Sequence, residues 1–411
     1  MPRQVRRAVL VSYVAFVFVG VSAGVSGVLL PSQMATYGVG RSAIGISFFT
    51  GSAGFVLAGM SAGALIGRLG TRAALAVAVG AYALAGLYLA SRPPFAMFLL
   101  VQLVAGYGTG VLESVLNVYL AALPGATTLL NRLHAFFGVG ALLGPALAAW
   151  ILGFAPWTVV WLVLAAACVP LLVGFLAAFP GPQPEPQPEA PVSRETSNGG
   201  TTSAALRDRG IRLGAAMLAV YVGLELSVGN WGFNYLVQAR SLPESLAGYT
   251  VSGYWLGLTL GRFLISPVAT RLGATTAGMM YACLAGITAA AALAWLLPTA
   301  PACVALGLLG FFLGPVFPTT MAIAPRLTPA RLVPAGIGVM NAASVIGGSA
   351  LPWLAGTLGQ NAGMTALLPF AVALALAQFA VWRPIAARLR PPGEPAASGS
   401  AVSSDSWPPT T

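Results

Sequence analysis

Two carboxylates stand apart in this sequence. Glu113 lies in GYGTGVLESVLNVYL and Glu225 in YVGLELSVGNWGFNYLV, and both stretches are apolar enough to sit in a bilayer. The remaining acids fall elsewhere: Glu185, Glu189, Glu195 and Asp208 in a Pro/Ser-rich central stretch, Glu244 between apolar runs, Glu394 and Asp405 in the tail. An ionised side chain at a bilayer centre costs on the order of 3 kcal/mol on insertion scales, so such acids usually face a bundle interior or a wet cavity and work there. Their chemistry would be proton uptake and release, or hydrogen bonding to a solute.

The neighbours of each acid sharpen this. At about 100° per residue, Gly106, Thr109, Gly110, Glu113 and Asn117 share one helix face. The glycines and threonine on that face let a helix or ligand approach closely. Asn117, four residues after Glu113, can bond a neutral carboxyl. The face suits a proton-coupling acid, or else a permanently protonated glutamate that clasps two helices. Glu225 shares a face with Tyr221 and Val228, whereas Asn230 and Asn234 project the other way in an unbroken helix. Gly229 and Gly232 offer a place to interrupt the helix and bring them round, the broken-helix arrangement that binds substrates at a membrane midplane. With the ring of Trp231 alongside, this set suits a polyhydroxylated ligand; a polar clasp between helices is the plainer alternative.

His134, the only histidine, lies in NRLHAFFGVGALLGP and shares a face with Asn131, Gly138 and Pro145. An ordinary histidine titrates near neutral pH, so a proton relay with Glu113 is open to it, as is simple interfacial packing. Asn341, Ser344 and Gly348 also share a face, although asparagine and serine often serve as packing groups between membrane helices.

The elements that must hold these residues are membrane helices. The 411 residues are 57% hydrophobic and 7% charged, with a mean hydropathy of +0.85; a soluble domain needs about a quarter of its residues charged. Apolar runs long enough to cross a hydrocarbon core of about 30 Å recur twelve times, at about 9–31, 43–67, 73–91, 95–122, 133–153, 156–179, 213–238, 246–270, 274–297, 301–324, 332–357 and 363–388. The first follows Arg3, Arg6 and Arg7 and is too long for a removable signal, so it is kept as the first span.

All twenty basic residues are arginine. With a cytoplasmic N-terminus, every arginine except Arg41, Arg92 and Arg240 falls on the cytoplasmic side, as the positive-inside rule requires. The net charge of +11 is therefore topological and does not point to nucleic acid. Cys168, Cys283 and Cys303 lie in apolar runs without metal-ligand or disulfide spacing. No phosphate-binding loop, zinc spacing or nucleophile elbow occurs, so no enzyme activity, metal or cofactor is expected. An alanine- and arginine-rich chain lacking lysine suits a high-GC bacterium and its inner membrane, with both termini cytoplasmic.

One segment, Gly181 to Gly210, breaks the apolar pattern and reads as a flexible linker. The expected organisation is a six-helix bundle at 1–180, a cytoplasmic linker at 181–211, a second six-helix bundle at 212–390 and a disordered tail at 391–411. The halves echo each other: GALIGRLGTRAAL follows the second run and SPVATRLGATTAG the eighth, and both place Arg-Leu-Gly at the cytoplasmic end. Such a repeat suits two bundles rocking about a site between them.

Six plus six helices, a central cytoplasmic loop and the signature G-x-L-x-x-R-x-G-x-R at Gly63 to Arg72 resemble the major facilitator superfamily, with Gly67 where that signature usually has an acid. More closely, LESVLN at Leu112 to Asn117, the NRLHAFFGVGALLGP segment, YVGLELSVGNWGFNYL, GRF at Gly261 to Phe263, FPTT at Phe317 to Thr320 and IGGSALPWLAG at Ile346 to Gly356 resemble the fucose:proton symporter and glucose transporter family. The resemblance implies an all-α polytopic membrane protein of twelve transmembrane helices, with Glu113 coupling protons and polar groups of the fifth helix helping to bind sugar. The first run lacks the aspartate of the fucose symporters, and Phe137 stands at a polar position of their fifth helix.

The expected function is proton-coupled symport of a neutral sugar by a monomer in the lipid bilayer, with sodium as the other candidate ion. Proton coupling is assigned to Glu113 and His134, and substrate binding to Glu225, Asn230, Asn234, Trp231, Asn117, Asn131 and Asn341. The alternative is proton-driven export of hydrophobic or drug-like compounds; a non-transporting membrane receptor is a third class.

Overall fold

Long apolar stretches punctuated by proline and glycine fold here as helices throughout. The computed structural model describes residues 2–179 and 199–389, so most of the expected linker and the tail from 391 lie outside the described residues. In chain order the helices are α1 (Arg3–Tyr37), α2 (Arg41–Ile44), α3 (Ile46–Ala90), α4 (Phe95–Ala121), α5 (Ala126–Leu152), α6 (Trp157–Ala178), α7 (Gly199–Arg207), α8 (Arg209–Arg240), α9 (Glu244–Arg271), α10 (Thr276–Leu296), α11 (Thr299–Leu313), α12 (Val316–Ala322), α13 (Ala324–Leu327), α14 (Val333–Ala362) and α15 (Leu367–Leu389).

Proline, whose fixed φ and missing N–H suit the residue just outside a helix, sits at the N-caps of α1, α4, α6, α9 and α11. At α8 and α10 a side chain caps the first turn. The Asp208 carboxylate accepts from the Ile211 N–H at 2.9 Å, and Thr275 Oγ1 from the Gly278 N–H at 3.1 Å. Asp208 thus ends α7 and starts α8. This corrects the expectation of structureless chain up to Gly210: Gly199–Arg207 is helical, and α8 begins ahead of the apolar run that announced it.

Ten helical segments among the described residues are long and apolar enough to cross a membrane. One of them, Arg41–Ala90, holds two of the apolar runs. Straight, the 45 residues of α3 would reach about 68 Å, twice a hydrocarbon core of about 30 Å. Gly70 interrupts it at φ 77°, ψ 161°, a conformation essentially confined to glycine. Its partner in the repeated Arg-Leu-Gly motif, Gly273, also has positive φ, at 67°. The internal repeat is therefore conformational as well as textual. α9, with 28 residues, spans a comparable length but is more polar and is not among the ten.

The helices form two bundles. In the first, α1 packs on α5 and α6, and α3 on α4 and α6; in the second, α8 packs on α14 and α15, and α9 and α10 on α11. Small residues allow the closest crossings. Gly20 and Gly24 of α1 meet Gly140 and Gly144 of α5 backbone to backbone, and Gly106 of α4 meets Gly51 of α3. The bundles meet where α5 packs on α9, α1 on α8, and α14 on α2 and α3. The chain is an all-α, multi-pass membrane protein of two helix-bundle domains.

Candidate functional site

A cavity of about 350 Å³ opens where the bundles meet. α1 contributes Ser22, Ser26 and Gln33 to its wall, α3 contributes Ser47, Ser52 and Tyr82, and α4 contributes Gln102, Thr109 and Glu113. Phe48, Phe55, Phe137 and Trp161 add aromatic surface, and the second bundle adds Leu226, Asn230 and Gly348. Glu113 is the one charged residue on the wall. Among the described residues its carboxylate has no ion-pair partner, and no arginine lines the cavity.

Of the α4 face read from helical spacing, Gly106, Thr109 and Glu113 line the cavity, whereas Gly110 packs on Phe55 and Ala58 of α3. Asn117 does not line it either: its Nδ2 donates to the Glu113 main-chain oxygen at 2.8 Å, so the expected bond between the two side chains is replaced by a local bond to the helix backbone.

Glu225, expected to bind substrate, does not line this cavity. It is 8% exposed and lies 3.5 Å from an Arg262 guanidinium nitrogen on α9. The Tyr254 hydroxyl donates to its main-chain oxygen at 2.9 Å. Arg262 is therefore tied to α8 through Glu225 and is part-exposed there. Removing one member of such a pair leaves a poorly solvated charge behind. Arg262→Met is expected to destabilise the protein by an amount toward the lower end of roughly 3–5 kcal/mol, since the guanidinium is part-exposed. Pairing it with Glu225→Gln should recover much of that loss in thermal unfolding; a double variant no better than the single would dismiss the pair.

No helix break brings Glu225 and the asparagines together, because α8 runs unbroken from Arg209 to Arg240. Gly229 instead receives the Trp255 ring, and Gly232 faces Val251. The asparagines thus keep the separate direction of a regular helix. Asn230 lines the cavity. Asn234 is fully buried, with neither amide atom hydrogen-bonded among the described residues. Trp231 is fully buried too, its indole N–H donating to the Pro352 carbonyl at 2.7 Å; it braces α8 on α14 and offers no free ring face.

His134 packs edge-on against Phe16 with ring centroids 5.6 Å apart. It does not line the cavity with Glu113, and neither do Asn131 or Asn341, both exposed on α5 and α14. Sequence reasoning passed over Ser22, Ser26 and Gln102. The available signal was periodic: Val19, Ser22, Ala23, Ser26, Leu30 and Gln33 follow one stripe of α1.

Every hydrogen bond between the bundles among the described residues falls toward one end, that of Tyr37 and Arg240. Arg41 reaches the Gln238 side chain and, at 3.2 Å, the Gly359 carbonyl. The Ser42 N–H donates to Gln360 at 3.0 Å, and the Trp353 indole to the Ser42 carbonyl at 3.1 Å. Ser349 donates to Ser52 at 2.7 Å, and Gly27 lies directly on the main chain of Asn230. The cavity is closed at that end.

Known proteins resemble this one over part or most of its length. The chain is 26% identical over 406 residues to Bypass of stop codon protein 6 of Saccharomyces cerevisiae, covering 88% of this chain and 78% of that one. It is 30% identical over 177 residues to a gallate transporter of Pseudomonas putida, covering 39% and 37% respectively. A bacterial homologue of the human lysosomal transporter Spinster, in an inward-facing and unoccupied conformation, superposes with a TM-score of 0.78 at 11% identity, covering 94% of this chain and 98% of that one. The E. coli fucose:proton symporter superposes at 0.63 with 16% identity, covering 94% and 99%. The family model described as Major Facilitator Superfamily matches residues 12–238 and 213–409. With both halves matched and a cavity between two bundles, the chain is a membrane transport protein rather than an enzyme, and it belongs to the Major Facilitator Superfamily.

Proposed function

We propose that the protein is a secondary transporter that imports a neutral, polyhydroxylated solute of the sugar class together with a proton. The observation that carries this reading is the composition of the cavity: one carboxyl, Glu113, among hydroxyl and amide side chains and aromatic surfaces, with no cation on the wall. Hydroxyls and amides exchange hydrogen bonds with sugar hydroxyls, while flat rings take the apolar faces of a sugar ring. The gallate transporter among the relatives is named for a carboxylate. A carboxylate in this cavity would meet Glu113 without a balancing charge, so an anionic substrate is disfavoured here.

The reading takes α3 as two spans divided at Gly70 and counts α9 as another, giving twelve spans in two six-helix bundles. Both termini face the cytoplasm of a bacterial inner membrane, and the protein works as a monomer. The closed end is then the outer one, and the structure is inward-facing. In the cycle, Glu113 takes a proton while the cavity opens outward, and the solute binds between Asn230 and the polar faces of α1 and α4. A neutral Glu113 lowers the penalty of closing a dry interface around it. The bundles rock, and proton and solute leave inward.

The test is a reconstituted protein in liposomes carrying an internal pH indicator, exposed to a panel of neutral sugars, with gallate as the anionic control. Acidification triggered by one sugar supports symport and identifies its substrate. A response to gallate alone, or to none of the sugars, overturns the sugar assignment. Export of lipophilic compounds is the second reading, favoured by Phe48, Phe55, Phe137 and Trp161 on the wall. It predicts drug-induced proton efflux from the same vesicles.

A further inference from the structure

A second concavity, of about 450 Å³, lies away from the bundle interface, on the outer flank of the first bundle. Its floor and sides include Leu10, Val14 and Val21 of α1, Leu147 of α5, and Leu171 and Gly174 of α6. Leu10 and Val14 are exposed there, and Gly174 lets α6 lie close against α1: a Cβ at that position would press on the Val11 side chain at 3.2 Å. A lipid-facing surface is apolar everywhere, so apolarity alone decides nothing. Length and charge do.

From Leu10 to Val21 the groove follows α1 for about 16 Å, close to one leaflet's share, about 15 Å, of a hydrocarbon core. It runs from mid-membrane to Leu10, about two helical turns short of the start of α1 at Arg3. At that end Arg3, Arg6 and Arg7 are all exposed. Arg3, Arg7, Leu10 and Val14 succeed one another at helical spacing, so the cationic cluster and the groove share one stripe. Nothing on α1 neutralises it, because Glu113 is the first acidic residue in the chain. Long arginine side chains near a helix end reach to the headgroup level.

We propose that this groove is a binding site for an anionic phospholipid of the leaflet that holds the N-terminus, one acyl chain lying along α1 and α6 and the headgroup phosphate on Arg3, Arg6 and Arg7. Basic clusters beside grooves between membrane helices recognise anionic headgroups by this combination of charge and apolar depth. The site shares no residue with the transport cavity, so it stands independently of which solute is carried.

Native mass spectrometry of the full-length protein tests it, with equimolar phosphatidylglycerol and phosphatidylcholine of identical acyl chains. The first lipid retained should favour phosphatidylglycerol, by up to about fivefold for each arginine engaged. Combined Arg3→Gln, Arg6→Gln and Arg7→Gln should bring that ratio close to one while lipid is still retained. Val14→Trp, a change on an exposed surface, should fill the groove and lower retention of the first lipid severalfold for both headgroups. No preference in the unaltered protein, a preference that survives loss of the three arginines, or unchanged retention in Val14→Trp would each overturn the proposal.

Discussion

Glu113→Gln is expected to abolish uphill accumulation of substrate while leaving exchange of substrate across the membrane within two- to threefold of normal, by order-of-magnitude reckoning. The change keeps shape and hydrogen-bonding capacity and removes only the titrating group. Among the described residues the Glu113 carboxylate has no ion-pair partner, so no buried cation is stranded and the fold should survive. The chemical consequence is specific. A pH difference of one unit can drive about tenfold accumulation through one coupled proton, and an amide cannot use it. The measurement is uptake into proteoliposomes under an imposed pH gradient, followed by counterflow in its absence. Intact accumulation in the variant would remove Glu113 from the coupling role, and accumulation that follows a sodium gradient instead would reassign the ion.

The second large effect is conformational. Gly27→Val should prevent the bundles from closing at the end where they now meet. A Cβ on Gly27 would lie 2.6 Å from the Asn230 carbonyl oxygen and 2.7 Å from its Cα, and backbone on an intact helix has little room to give. Overpacking of this kind costs about 1–3 kcal/mol, which shifts the closed population roughly 5- to 150-fold; contact with main chain places it at the upper end. Transport should fall accordingly, with Gly27→Ala intermediate.

Ser52 and Ser349, hydrogen-bonded across the same closure, supply the readout. Cysteines at both positions, in a background without Cys168, Cys283 and Cys303, should cross-link readily. Adding Gly27→Val should cut that yield severalfold. Equal cross-linking and normal transport in the valine variant would show that this contact does not gate the cycle.

How much of this was legible in the residues alone varies from element to element. Hydrophobic length and arginine placement are properties of a single strand of chain in a bilayer, and they announced a polytopic helical protein. The α4 face was equally accessible, since 3.6-residue spacing within one helix is enough to place Gly106, Thr109 and Glu113 together. The repeated Arg-Leu-Gly motifs were legible too as a sign of two related halves, and the structure gives the glycine of each a positive φ.

What lay beyond reach was every relation between helices. Glu113 and Glu225 look alike in sequence: each is a lone acid in an apolar run with an asparagine nearby. Arg262 separates them, reaching Glu225 from α9 and leaving Glu113 alone in the cavity. Spacing along α8 could not reveal that neighbour. Nor could it say that glycines at 229 and 232 accommodate Trp255 and Val251 rather than break the helix. The serines of α1 were missed because each is weak evidence alone and becomes a wall only beside α3 and α4. Composition and periodicity determined membrane, helices and the candidate coupling acid, since those depend on one helix and its solvent. Tertiary structure decided which acid is paired, which polar residues meet and which end is closed, since those depend on the side chains that neighbouring helices bring within a few ångströms.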